Sequence, residues 1–237
     1  MPILAVYIIP RETHAIYRIG ASFLGYDVRT GALSKPLLSD AYDQVESWIG
    51  QARSFGFHAT LGDALEYTQE SLPEIKTRLD WIARRVPPFS LVKGRFHDSL
   101  RSVPRTLAAT YDSPDGTLDK LHYLVVTLVN VLYHSSPYFD VSSYPQDQTK
   151  HIIRYGVPRH RILDQFDLHF SFATGIPNQH KWEELKTRIV NETGLFSDEK
   201  QRTLNVDEIH LLERQASGYF RTVATFPLLG EPRQKSE

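Results

Sequence analysis

Apolar residues gather in runs of strand length at 4–9, 55–61, 89–93, 106–111, 166–173, 206–212 and 220–226. Between these runs the apolar spacing changes to the helical period. Leu72, Ile75, Leu79, Ile82 and Val86 fall on one helix face, and Leu118, Leu121, Val125, Leu128 and Leu132 on a second. Trp182, Leu185 and Ile189 mark a third. Ser71-Leu72-Pro73-Glu74 has the form of a capping box at the start of the first helix. Pro87-Pro88 ends that helix, and Asn178 is placed to cap the third. Residues 14–24 make a shorter amphipathic segment. Residues 137–158 are rich in turn formers and read as an irregular loop.

The order strand, helix, strand, helix, strand occurs twice. Self-similarity at this scale predicts an α+β fold built as a pseudo-symmetric, bilobal duplication, each lobe a sheet covered by helices on one side. No low-complexity tract or long linker divides the chain. Residues 1–228 are therefore read as one bilobal domain, with lobes near 1–104 and 105–228 and strand exchange between them left open. Residues 229–237 read as a loose C-terminal tail.

At 237 residues and 41% hydrophobic content, the chain can bury a core of this size. Its 27 basic and 28 acidic residues sum to a net charge of −1, which argues against a footprint for long nucleic acid. A small nucleotide or a short RNA end stays open. There is no cysteine, so disulfides, thiolate metal sites and cysteine nucleophiles are excluded. The apolar N-terminal run has no basic residue before it and is too short to span a bilayer. No other stretch is long and apolar enough, so a cytoplasmic protein with no membrane partner is expected. No Walker loop, dinucleotide glycine fingerprint, G-x-S-x-G elbow or H-E-x-x-H pair occurs. Neither a cofactor nor a metal is expected.

The informative feature is a matched pair of segments, Phe57-His58-Ala59-Thr60-Leu61 and Leu168-His169-Phe170-Ser171-Phe172. Each reads apolar, His, apolar, hydroxyl, apolar. On a strand, His58 and Thr60 share one face while Phe57, Ala59 and Leu61 enter the core, and His169 and Ser171 do the same in the other half. His97-Asp98-Ser99 and His134-Ser135-Ser136 have the same bare spacing but lack the apolar frame. A single such motif is ordinarily structural; the matched placement is what favours function. An imidazole titrates near neutrality, so one ring can accept a proton while its partner donates one. Hydroxyls beside them can donate to phosphate oxygens as charge develops. Facing histidines would bracket a phosphorus for in-line displacement without a metal.

The paired segments resemble the two-histidine phosphoesterase superfamily, which includes LigT-like RNA ligases and cyclic nucleotide phosphodiesterases. That resemblance implies a bilobal pair of antiparallel sheets with helices outside and both motifs in a central cleft. It implies a hydrolase acting on phosphoric diesters, with His58 and His169 catalytic and Thr60 and Ser171 contacting the phosphate. Three segments are similar to one bacterial branch, whose genes often sit among phosphonate-degradation genes: Tyr17-Arg18-Ile19-Gly20-Ala21-Ser22-Phe23-Leu24-Gly25-Tyr26-Asp27, Phe55-Gly56-Phe57-His58-Ala59-Thr60-Leu61 and Arg154-Tyr155-Gly156-Val157-Pro158. The similarity runs from about residue 5 to 226. The chain departs at Ser171, where relatives usually carry Thr, and at Gly62-Asp63-Ala64, where relatives tend to carry Lys-Pro-Pro. The second change removes a cation and adds an acid.

Four further residues are candidates for substrate contact. Arg154 is suited to a bidentate grip on phosphate and Tyr155 to stacking or donating, against a reading as a loop packed on its own aromatic. Arg18 is a second cation, against a solvated helix charge, and Tyr7 lines the cleft or simply packs. The expected substrate is a small phosphorylated compound, a 2′,3′-cyclic nucleotide or a cyclic phosphoribose. The alternatives are an RNA-end processing phosphodiesterase with the same histidines, and a non-catalytic nucleotide or phosphate sensor.

Overall fold

The computed structural model describes residues 1–38, 45–99 and 104–231. Among them eight strands run in chain order: β1 (Ile3–Ile8), β2 (Ala59–Glu66), β3 (Phe89–Ser99), β4 (Pro104–Asp112), β5 (Phe170–Ala173), β6 (Leu204–Val206), β7 (Glu208–Arg214) and β8 (Phe220–Pro227). They form two four-stranded antiparallel sheets, ordered β2-β1-β7-β8 and β5-β4-β3-β6. Six helices accompany them: α1 (Ala15–Leu24), α2 (Val45–Phe55), α3 (Leu72–Ala83), α4 (Thr117–Leu128), α5 (Gln146–Tyr155) and α6 (Gln179–Thr193). α4 packs on β2 and α3 on β8, whereas α1 and α2 pack on β5 and α6 on β4. The fold class is therefore the α+β pair of helix-flanked antiparallel sheets expected. No described helix is long and apolar enough to cross a membrane.

The pseudo-symmetry is visible in where the two motifs fall. β2 and β5 are each the edge strand of their sheet, and each pairs with one inner strand. Their core-facing aromatics meet. The Phe57 ring lies 5.7 Å from Phe170 and 5.0 Å from Phe172, and Phe23 of α1 meets Phe172 edge-on at 5.7 Å. This seam is tight, because a Cβ at Gly20 would overlap the Phe57 ring. Aromatic pairs in such geometry add about 0.5–1.5 kcal/mol beyond their buried area. Each sheet draws strands from distant parts of the chain. β7 pairs with β1 (Tyr7 opposite His210), although they come from opposite ends of the chain.

Several local expectations are corrected. Residues 206–212 are not one strand: the chain leaves β6 at Val206 and enters the other sheet as β7 at Glu208. Residues 55–58 are not strand; Phe55 ends α2, and β2 starts at Ala59. The segment 137–158 is not irregular throughout, since it contains α5, whose buried residues are only Ile152 and Tyr155. Ser71 caps nothing with its side chain. A 3₁₀ turn, Gln69–Ser71, leads into α3, so Ser71 already has helical backbone and its hydroxyl meets that of Thr68 at 3.0 Å. Asn178 does cap α6, accepting from the Lys181 N–H at 2.9 Å. Of the tail, Leu229 and Gly230 are held by the carbonyls of Ala83 and Val86; residues 232–237 lie outside the described residues.

Candidate active site

His58 sits one residue ahead of β2, after a turn made by Gly56 at φ +75. Only glycine adopts that conformation without strain, and here a Cβ would also collide with Val28. The turn aims the Gly56 carbonyl at Nδ1 of His58, 2.8 Å away. A carbonyl only accepts, so Nδ1 carries the proton and Nε2 is the unprotonated nitrogen. Nε2 lies 3.2 Å from Thr60 Oγ1. Phe57, Ala59 and Leu61 are fully buried on the opposite face, as the alternation requires. Tyr7 comes from the neighbouring strand, where it pairs with Thr60, and its ring stacks on His58 at 3.6 Å and 15°.

The second motif repeats the device. His169 lies one residue ahead of β5, and its Nδ1 donates to the carbonyl of Asp167 at 2.7 Å. Phe170 and Phe172 are buried, and Leu168 nearly so. Both imidazoles are thus locked in one tautomer by the carbonyl two residues upstream.

The two motifs open into a single cavity of about 330 Å³, whose lining includes His58, Thr60, His169, Ser171 and Tyr7. Phe55, Tyr138 and Phe139 form an aromatic side, and Asp63 and Arg161 a charged one. Arg161 reaches Asp63 across 98 residues of chain, Nη2 donating to Oδ1 at 2.9 Å. A small adjoining recess is lined by the same pair with Thr60, His169, His122 and Phe166. His122, from α4, braces the recess. Its Nδ1 donates to the Leu61 carbonyl and its Nε2 accepts from the Leu163 N–H, both at 2.9 Å, while the ring stacks on Phe166 at 3.8 Å. One buried imidazole thereby ties β2 to the turn that leads into the second motif.

Electrostatics favour neutral rings in the cavity. Burial pulls His58 down to about 4; the neighbouring His169 pushes the same way, while the Gly56 carbonyl and Asp63 oppose. Burial also lowers His169, aided by the Arg161 charge and opposed by the Asp167 carbonyl and by the Asp167 and Asp63 carboxylates. Tyr7 is held protonated by burial and then by Asp63.

Of the residues singled out from sequence, His58, His169, Thr60, Ser171 and Tyr7 line the one cavity. Arg154, Tyr155 and Arg18 do not. Arg154 is exposed and lies over the Tyr155 ring, 5.2 Å from its centroid. Tyr155 packs into the core, its own carbonyl accepting from Asn130. Arg18 is on the solvent side of α1. Both arginines sit on helix faces turned outward by the apolar residues beside them. The cavity's cation is Arg161, which sequence reasoning passed over. Its only local signal was a run of three basic residues, Arg159-His160-Arg161, of which Arg159 turns out to Asp164. Among the described residues no group of three or more His, Asp or Glu side chains is arranged to hold a metal ion.

No family model and no curated protein matches the chain. Solved structures that align with it include Escherichia coli LigT complexed with 3′-AMP, at 16% identity over 96% of this chain and 99% of that one, with a TM-score of 0.48. TT0787 of Thermus thermophilus aligns at 17% identity over 97% and 100%, also at 0.48. A phosphoesterase aligns at 16% identity over 96% and 99%, at 0.45.

Proposed function

We propose that the protein is a phosphoesterase that opens a cyclic phosphodiester by two-histidine acid–base catalysis, without a metal. The observation that carries this reading is the matched pair: His58 and His169, each with Nδ1 tied to a carbonyl, each followed by a hydroxyl, both lining one cavity.

One neutral imidazole takes a proton from water as the water oxygen attacks phosphorus. The other, protonated, gives its proton to the ribose oxygen as the P–O bond breaks. The products are a phosphomonoester and a free hydroxyl, and the two rings have exchanged protonation states. Burial depresses both rings, so the substrate contributes to its own catalysis. A phosphate anion between the rings favours the imidazolium form and raises the pKa of whichever ring becomes the acid. Thr60 and Ser171 are in the cavity to donate to the non-bridging oxygens, where charge builds up.

A volume of about 330 Å³ suits a ligand of nucleotide size and is at the small end of ligand pockets. The aromatic side made by Phe55, Tyr138 and Phe139 favours a nucleotide over a bare sugar phosphate, because a base has a face to stack.

The test is hydrolysis in excess EDTA of 2′,3′-cyclic nucleotides, a cyclic phosphoribose and a short RNA, alongside the His58→Ala and His169→Ala variants. Turnover of a cyclic substrate, insensitive to EDTA and reduced about 10²–10⁴-fold in each variant, is expected. Absence of turnover with binding that survives both substitutions would overturn the reading in favour of a sensor.

A further inference from the structure

Arg161 and Asp63 are a part-buried charge pair set into the wall that His58 and His169 share. Their side chains keep only 23% and 13% of their exposure. Two charges withdrawn from water carry a desolvation cost that their attraction offsets only when the remaining donors and acceptors are also satisfied. Here they are not. A guanidinium presents a fork of N–H donors, and among the described residues the Arg161 side chain spends one nitrogen on Asp63. Its Nε is buried without a hydrogen-bond partner. A buried N–H without a partner costs free energy, more so on a charged group, and an acceptor on a ligand would meet it.

The surroundings say what the free donors are for. The Phe139 ring lies 5.4 Å from the guanidinium carbon, which restricts its plane. Thr60, one of the hydroxyls offered to the phosphate, lines the same wall. The guanidinium is charged at every working pH, and the Asp63 charge raises its pKa further. A rigid, permanently charged fork beside a hydroxyl and two imidazoles matches a tetrahedral oxyanion.

We infer that Arg161 is the anion-binding residue of the cleft, gripping two oxygens of the substrate phosphate through the N–H groups that Asp63 leaves free. Asp63 is the positioning residue: it holds one edge of the guanidinium and turns the other toward the cavity. This inference rests on the phosphoesterase reading and adds the cation that reading otherwise lacks.

Inorganic phosphate is the probe, titrated by calorimetry into the wild type, Arg161→Lys and the Arg161→Gln/Asp63→Asn double variant. The double change removes both charges together, so no lone buried ion is left to unfold the protein. Binding to the wild type, weakened about tenfold or more in the double variant and less in Arg161→Lys, is the expected result. Equal binding by wild type and double variant would overturn the role of Arg161 and leave the two-histidine reading standing. No phosphate binding by the wild type would overturn the assignment to Arg161, while the two-histidine reading stands or falls on the hydrolysis assay. A second readout uses the wild type alone. The Arg161 Nε–H resonance, assigned by its loss in Arg161→Lys, should shift as phosphate is added; a resonance that stays put would also overturn the assignment.

Discussion

Tyr7 lies flat against His58, ring centroids 3.6 Å apart and planes within 15°, although the two are far apart in the chain. Pairing of β1 with β2 brings them together, Tyr7 standing opposite Thr60. The stack fixes the plane of the imidazole, while the Gly56 carbonyl fixes its tautomer. Tyr7 is fully buried. Tyr7→Ala should therefore cost about 3–5 kcal/mol by urea denaturation, as for other large-to-small core changes. Tyr7→Phe keeps the stack and should keep stability within about 1 kcal/mol. If Tyr7→Ala denatured at the wild-type urea midpoint, the stack would be incidental.

Gly56→Ala isolates the turn that orients His58. The position has φ +75, and its Cβ would overlap Val28. The conformation alone costs about 1–2 kcal/mol for an L-residue, and the displaced carbonyl should lower kcat as well. Gly50→Ala is the control. Gly50 lies within α2 with open space around it, so alanine there should stabilise by up to about 1 kcal/mol and leave kcat unchanged. Equal kcat in the two variants would count against the carbonyl as the orienting group.

Stability should fall on mild acidification. His58 and His122 are both lowered from 6.5 to about 4, chiefly by burial. Above pH 6.5 neither the folded nor the unfolded chain protonates them, and the stability is fully present. Between 6.5 and about 4 the unfolded chain binds protons that the folded one refuses, so stability is lost as pH falls through this window. Each ring accounts for up to about 3 kcal/mol of the loss. Protonating His122 at Nε2 also destroys the acceptor for the Leu163 N–H. Urea midpoints measured across the window should decline steadily toward acid; a flat profile would mean that the folded chain takes up protons at these rings as readily as the unfolded one.

Phosphate should move the histidines in the opposite direction. In the empty protein the His58 ring signal should titrate near 4 by NMR. An anion bound between the rings stabilises the imidazolium, so saturating inorganic phosphate should raise the titration midpoint of at least one of His58 and His169 by about 1 unit or more. Midpoints unmoved at saturation would place the anion elsewhere.

The sequence by itself determined the elements whose signal is local. Apolar residues three and four apart located α3, α4 and α6, because one helix face must be dry. Period-two alternation around His58 and His169 located both motif faces, because a strand buries every second side chain. α5 escaped notice because it buries only Ile152 and Tyr155, too few apolar positions to mark a period. The same segment supplied Arg154 and Tyr155 as candidates, and helix geometry then turned one outward and the other into the core. What tertiary structure alone decided is long-range. Which sheet a strand joins is set by pairing between distant segments, so Val206 and Glu208 ended in different sheets. Tyr7 met His58 through strand register, and Arg161 became the cleft's cation because Asp63, 98 residues earlier, holds it there. Residue type and spacing encode what a side chain can do and which face it takes; only the closing of one sheet against another decides what stands beside it.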